Sequence, residues 1–269
     1  MSGTSILDRI VATKRDEVRA AAGRLAEYRD MTRQVPAPRG FAAALTHPAH
    51  VRLLAEVKRR SPSAGDIRPG ADPAAVARDY AAGGAAALSV LTDREYFGGG
   101  MDALHAVRAA VDLPLIRKDF VIHPVQVWEA RAAGADAVLL IVRILEPGQL
   151  ADLHALIRET GMDALVEAHT EAELDTALQS GATLVGVNNR DLDTFTTDLD
   201  LSVRLAPRLP ESVTYVAESG IRTAANVDRL GAAGVNAILV GESLMRQPDV
   251  RAAAAALAGR PRAAGVRPA

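Results

Sequence analysis

Beyond residue 52 the chain alternates short apolar runs with longer stretches of helical period. The runs are Leu53–Lys58, Ala87–Leu91, Pro114–Lys118, Ala137–Val142, Ala164–Glu167, Leu184–Asn188, Thr214–Glu218 and Ala237–Val240. They lack the polar alternation of a half-exposed strand, so each reads as a strand buried on both faces of a parallel sheet. The helices between them are punctuated. Asp72-Pro73 supplies an N-cap with proline at the first helical position, and Pro124 and Pro147 stand at two other starts. Gly83, Gly134, Gly161, Gly181 and Gly234 stand at stops. Small glycine turns lead into strands at 82–85, 133–136, 180–183 and 233–236. Their period of roughly 50 residues is that of two βα units. Eight such units predict the α/β class and a closed (β/α)8 TIM barrel. An open doubly wound sheet is the alternative, but it carries a Gly-x-Gly-x-x-Gly turn after its first strand, where this chain has Lys58-Arg59-Arg60-Ser61.

Ahead of the barrel, Ile6, Leu7, Ile10, Val11 and Val18 share one helical face, which predicts a helix from residue 5 to about 28. Ser5 with Asp8 resembles a capping box at its start. Pro36 and Pro38 mark a following loop. The expected division is a helical extension over 1–45 packed on the barrel, the barrel over 46–258, and a disordered tail over 259–269 with Pro261 and Pro268, all within one structural domain.

Composition narrows the class. Hydrophobic residues make up 49% and charged residues 24%, an ordinary globular balance. A net charge of -2 gives no basic field for nucleic acid. The absence of cysteine excludes a disulfide scaffold, thiol catalysis and thiolate metal sites. No apolar run approaches the roughly 18 residues of a membrane span. Asp8, Asp16 and Glu17 make the N-terminus unlike a secretory signal. A cytoplasmic protein without membrane or nucleic-acid partners is expected; oligomeric state is left open, with a monomer plausible. The histidines show no metal spacing: His47 and His50 share a Pro-containing loop, and His123, His154 and His169 stand isolated, so no metal is expected.

The chemistry gathers at strand ends. Glu56 and Lys58 are two apart and share a face of the first strand. Taken singly they fit a structural ion pair equally well. Lys118, Glu167 and Glu218 then end the third, fifth and seventh runs in charge, and odd strands of such a barrel feed common layers of inward side chains. Buried charges are costly unless paired or used, so the set reads as one site at the C-terminal mouth. Asn188 and Arg190 end the sixth run. Gly220 and Gly241, after the last two strands, allow close backbone approach to a phosphate. Gly98, Gly99 and Gly100, preceded by Tyr96 and Phe97, read as a mobile active-site loop.

These stretches resemble one family, the indole-3-glycerol-phosphate synthases, (β/α)8 enzymes of tryptophan biosynthesis. The matching segments are 55–63, 89–93 with 96–99, 115–120, 165–169, 186–192, 217–221 and 239–245, so the resemblance runs from the first strand to the last. Departures are small: Arg60, Ala64, Gly100, and Ala168 where valine is common. The resemblance implies ring closure, decarboxylation and dehydration of a carboxyphenylamino-deoxyribulose phosphate, with no cofactor. It implies Lys118 as general acid on the ketone oxygen; Glu167, Lys58 and Glu56 as the proton-transfer set for dehydration; and Asn188 and Glu218 as positioning groups. Substrate would be held by Ser61, Phe97, Phe120, Arg190, Ser219, Gly220, Gly241, Glu242 and Ser243, with the two phenylalanines against its aromatic ring. Three rivals share parts of this pattern: a Schiff-base aldolase using Lys118, a sugar-phosphate isomerase, and a catalytically silent barrel.

Overall fold

The computed structural model describes residues 5–192 and 194–269. Parallel strands close into a barrel: β1 Arg52–Val57, β2 Ala87–Leu91, β3 Leu115–Lys118, β4 Ala137–Ile141, β5 Asp163–Ala168, β6 Leu184–Asn188, β7 Thr214–Glu218 and β8 Ala237–Val240. Each pairs with its neighbours in sequence, and β1 closes the ring on β8. Every boundary falls within one residue of the apolar run that predicted it. Helices follow the strands, and the Asp72 carboxylate caps the first of them by accepting the Ala74 N–H at 3.0 Å.

The period of two along each strand sorts side chains between two cores. Leu53, Ala55, Leu88, Val90, Val138 and Val166 face the surrounding helices. Leu54, Ile116, Leu139, Leu165, Val216 and Leu239 fill the barrel interior. The same phase, carried one step toward the C-terminal end, makes Glu56, Lys118, Glu167 and Glu218 point inward above that apolar layer. Phe41 and Leu45, in and just after the short helix Phe41–Ala44, are fully buried in the interior cluster and plug its lower end.

The N-terminal segment is two helices rather than one, α1 Ile6–Ala21 and α2 Leu25–Thr32, separated by a 3-10 turn at Ala22–Arg24. The turn lets α1 serve the mouth while α2 lies along the barrel wall, where Tyr28 donates to Glu129 at 2.9 Å. The Ser5–Asp8 capping box is present, with reciprocal bonds of 3.1 Å.

The tail corrects an expectation. Instead of being disordered, residues 259–269 pack across the N-terminal ends of the strands. Arg267 is 4% exposed and donates to Val213 O and Asn236 Oδ1, and Arg262 pairs with Glu211 at 2.7 Å. The bonds of these two arginines to carbonyl, amide and carboxylate oxygens outweigh the weak order expected of a Pro- and Ala-rich terminus.

Candidate active site

The C-terminal mouth holds a ring of charge. Lys118 Nζ stands 3.4 Å from Glu167 Oε2 and 3.5 Å from Glu218 Oε2. On the β1 side, Lys58 Nζ is 2.9 Å from Glu56 Oε1, and Ser89 donates to Glu56 Oε2 at 3.0 Å. Asn188 Oδ1 accepts the Arg190 N–H at 3.0 Å, which turns its amide nitrogen toward Glu167 Oε1 at 3.3 Å. The β6–β7 register sets Asn188 beside Glu218 and, two residues back, Gly186 beside Val216. Gly186 leaves the space in which Glu218 lies, since a Cβ there would overlap the Glu218 carboxylate.

These contacts set the protonation states. Burial alone would lower the Lys118 pKa, but Glu167, Glu218 and Glu56 outweigh it and hold the ammonium above its usual range. Burial opposes charge on Glu56, yet Lys58 and Lys118 keep it an ionised carboxylate. Glu167 and Glu218 part company. Burial opposes charge on both, but Glu167 has Lys118, His169 and Asn188 around it and stays ionised. Glu218 Oε1 has no hydrogen-bond donor among the described residues, and burial together with the Glu167 charge pushes its carboxyl up to about 8. At neutral pH the proton of this pair resides on Glu218.

The mouth is roofed by α1, whose Ile6, Leu7 and Ile10 line it. Phe97 and Phe120 form one wall, their ring centroids 5.9 Å apart and tilted by 40°. Beyond them a second hollow opens between the β7 and β8 loops, lined by Ser219, Gly220, Gly241, Glu242 and Ser243, and shares Glu56, Lys58 and Arg190 with the first. Ser219 (φ 66°) and Gly220 (φ 77°) are both in the left-handed region; for serine this is strain of a kind found at ligand clamps.

The family model for indole-3-glycerol phosphate synthase matches residues 7–257. The chain belongs to the indole-3-glycerol phosphate synthase family. It is 49% identical over 255 residues to the indole-3-glycerol phosphate synthase of Rhodopirellula baltica, covering 94% of this chain and 98% of that protein. With the enzyme of the same name from Rhodospirillum rubrum it shares 50% identity over 262 residues, 95% of this chain and all of that one. A more distant likeness, to thiamine phosphate pyrophosphorylase from Pyrococcus furiosus, has a TM-score of 0.59 at 20% identity over 77% of this chain and 93% of that one, and speaks to the barrel alone. The synthase is therefore a carboxy-lyase of tryptophan biosynthesis.

Every residue expected in the site of this synthase lines one of the two joined hollows: Glu56, Lys58, Ser61, Phe97, Lys118, Phe120, Glu167, Asn188, Arg190, Glu218 and Ser219 the first, Gly220, Gly241, Glu242 and Ser243 the second. Arg190 bonds Ser63 Oγ and lies 3.5 Å from Glu242, bridging the loops after β1, β6 and β8. The glycine loop after β2 is tied down in this state: Asp93 accepts from Tyr96 N and Phe97 N, and Arg59 donates to Gly98 O at 2.7 Å.

Two residues beside the site, Lys14 and His169, went unread in the sequence. Lys14, on α1, is 1% exposed and lies 2.8 Å from Asp93 and 3.1 Å from Asp119, beside the Phe97 loop and the Lys118 strand. Nothing local signals a partner so distant along the chain. His169 is not isolated: its ring sits between Glu167 and Glu173. Here a signal existed, since Glu167 and His169 are two apart on an extended chain, the spacing that singled out Glu56 and Lys58.

Proposed function

We propose that the strand-end groups of this synthase divide its ring closure and dehydration between two poles of the mouth. The reaction joins the ring carbon that bears the carboxylate to the ketone carbon of the sugar. Negative charge develops on the ketone oxygen as that bond forms, and Lys118 carries the proton that neutralises it. The observation that carries this reading is the placement of Lys118 between two carboxylates at the centre of the mouth. Carbon dioxide then leaves, and its bonding electrons restore the aromatic ring. In the dehydration one proton goes to the departing hydroxyl and another comes off the neighbouring carbon. Glu167, held ionised, is the base; Lys58, paired with Glu56, supplies the acid. Asn188 orients Glu167, and Glu218 orients Lys118. Phe97 and Phe120 pack on the anthranilate ring. The test is to supply the carboxyphenylamino-deoxyribulose phosphate and follow indole fluorescence. Folded protein that yields no indole sinks the reading, as does a Glu167→Gln variant that turns over at full rate.

The phosphate is assigned to the hollow between Gly220 and the Gly241–Ser243 turn, where first-turn N–H groups of a helix have no partner within it. Crystals grown in sulfate are expected to hold an anion there. An anion bound elsewhere, with these N–H groups turned away, rejects the assignment. Substitution of Gly241 is the less direct test, because a Cβ there would meet Glu56 Oε1 at 2.8 Å and disturb the Lys58 pair as well.

A pH effect follows from the Glu167–Glu218 pair. Its proton leaves as pH rises through about 8. Two carboxylates then hold the Lys118 ammonium and oppose donation, so kcat is expected to show an alkaline limb near that pH. A rate level well beyond it counts against the assignment.

A further inference from the structure

We propose that His169 is a positioning residue of this synthase: an imidazolium wedged between Glu167 and Glu173 that keeps Glu167 charged and leaves the proton of the carboxylate pair on Glu218. The proposal rests on the reading of Glu167 and Glu218 above and adds what enforces it.

The geometry is that of a cation between two anions. His169 follows β5 directly and its side chain is 2% exposed. Nε2 lies 3.2 Å from Glu167 Oε1, and Nδ1 lies 3.2 Å from Glu173 Oε2. A neutral imidazole has one N–H and one lone pair, so one of these faces would set a lone pair against a carboxylate. With both nitrogens protonated, both faces are attractive. The Nε2 contact is off the hydrogen-bond axis, which makes it an electrostatic rather than a directional hold on Glu167. The Glu173 side is rigid. Glu173 stands in the first turn of helix Glu171–Gln179, accepts the His169 backbone N–H at 2.7 Å, and is held by Arg143 Nε at 3.0 Å. The charged groups about His169 are thus Glu167 on its own strand, Glu173 on the following helix, and Arg143 on the far side of Glu173.

Burial opposes the imidazolium, but the two carboxylates outweigh burial and push its pKa up to about 9. A folded value raised above the ordinary histidine range means that the native state binds the extra proton. The stability this contributes is complete below roughly pH 6.5 and is lost as pH rises through about 9. Over the neutral range Glu167 therefore faces the Lys118 ammonium, the Asn188 amide and the His169 imidazolium, and Glu218 only Lys118 among the described residues.

The test reads the ring directly. In enzyme labelled with 15N-histidine, the signals lost in His169→Gln identify this residue. At neutral pH both ring nitrogens are expected in the protonated range. In Glu173→Gln, with one carboxylate gone, the midpoint of deprotonation is expected to fall toward that of an ordinary histidine. A neutral tautomer at neutral pH overturns the proposal. The kinetic readout is the alkaline limb. Removing a cation beside the carboxylate pair raises its proton affinity, so in His169→Gln the limb moves to higher pH, by about tenfold in proton concentration. A rate lowered by one factor at every pH, with the limb in place, is what a structural role gives, and it too overturns the proposal. Glu218→Gln separates the two readings. Loss of the limb there is required by the charge assignment. A persisting limb sinks that assignment, and the ring nitrogens then decide the state of His169 by themselves.

Discussion

Lys118→Ala is expected to lower kcat by roughly 10²–10⁴-fold, the typical worth of a placed general acid. KM is expected to change less, because the phosphate and the aromatic ring are assigned above to other groups. The loss goes beyond a missing proton: Glu167, Glu218 and Glu56 lose the cation they share, so ring closure meets negative charge where it needs positive charge. The same lysine tests the aldolase alternative. A Schiff-base nucleophile must be a neutral amine when substrate arrives. Here the ionised Glu167 and Glu56 keep the amine protonated, so borohydride added with substrate is expected to trap no adduct on Lys118 by mass spectrometry. A trapped adduct overturns both the acid role and the charge balance drawn for the mouth.

Lys14→Met is expected to give the largest stability loss outside the barrel core. Lys14 joins α1 to Asp93 and Asp119, all three nearly inaccessible to water. Asp119 keeps Arg117 at 3.2 Å and Thr92 at 2.5 Å, but Asp93 Oδ2 keeps no hydrogen-bond partner among the described residues. Breaking a buried pair from one side costs about 3–5 kcal/mol, which for a chain of this size lowers Tm by roughly 10 °C. The consequence reaches the chemistry. Ile6, Leu7 and Ile10 roof the mouth from the same helix, and Asp119 follows Lys118 in sequence. Proteolysis within residues 5–21 should quicken and kcat/KM should fall, while Lys14→Arg retains most of both. An unchanged Tm and unchanged proteolysis in Lys14→Met dismiss the idea that this ion cluster fastens the helix.

The legible part of this protein was what depends on neighbours in sequence. Unbroken apolar runs placed the strands within one residue, the period of two put Glu56 and Lys58 on one face, and the odd strand ends of a closed barrel gathered Lys118, Glu167 and Glu218 beside them. The Ser5–Asp8 cap and the Asp72 and Pro124 helix starts were local in the same sense. Motif resemblance added the family, its reaction and the set of residues that line the mouth.

What only the tertiary structure decided is where charges come to rest beside each other. Lys14 reads as a polar interruption of an apolar face until the closed barrel sets Asp93 and Asp119 under it. The tail reads as disorder until barrel closure offers Arg262 and Arg267 their acceptors. Glu167 and Glu218 are equivalent glutamates at strand ends until Asn188 and His169 approach one and not the other. A pKa depends on burial and on distance to other charges, and both are set by chain closure rather than by any residue's neighbours in sequence.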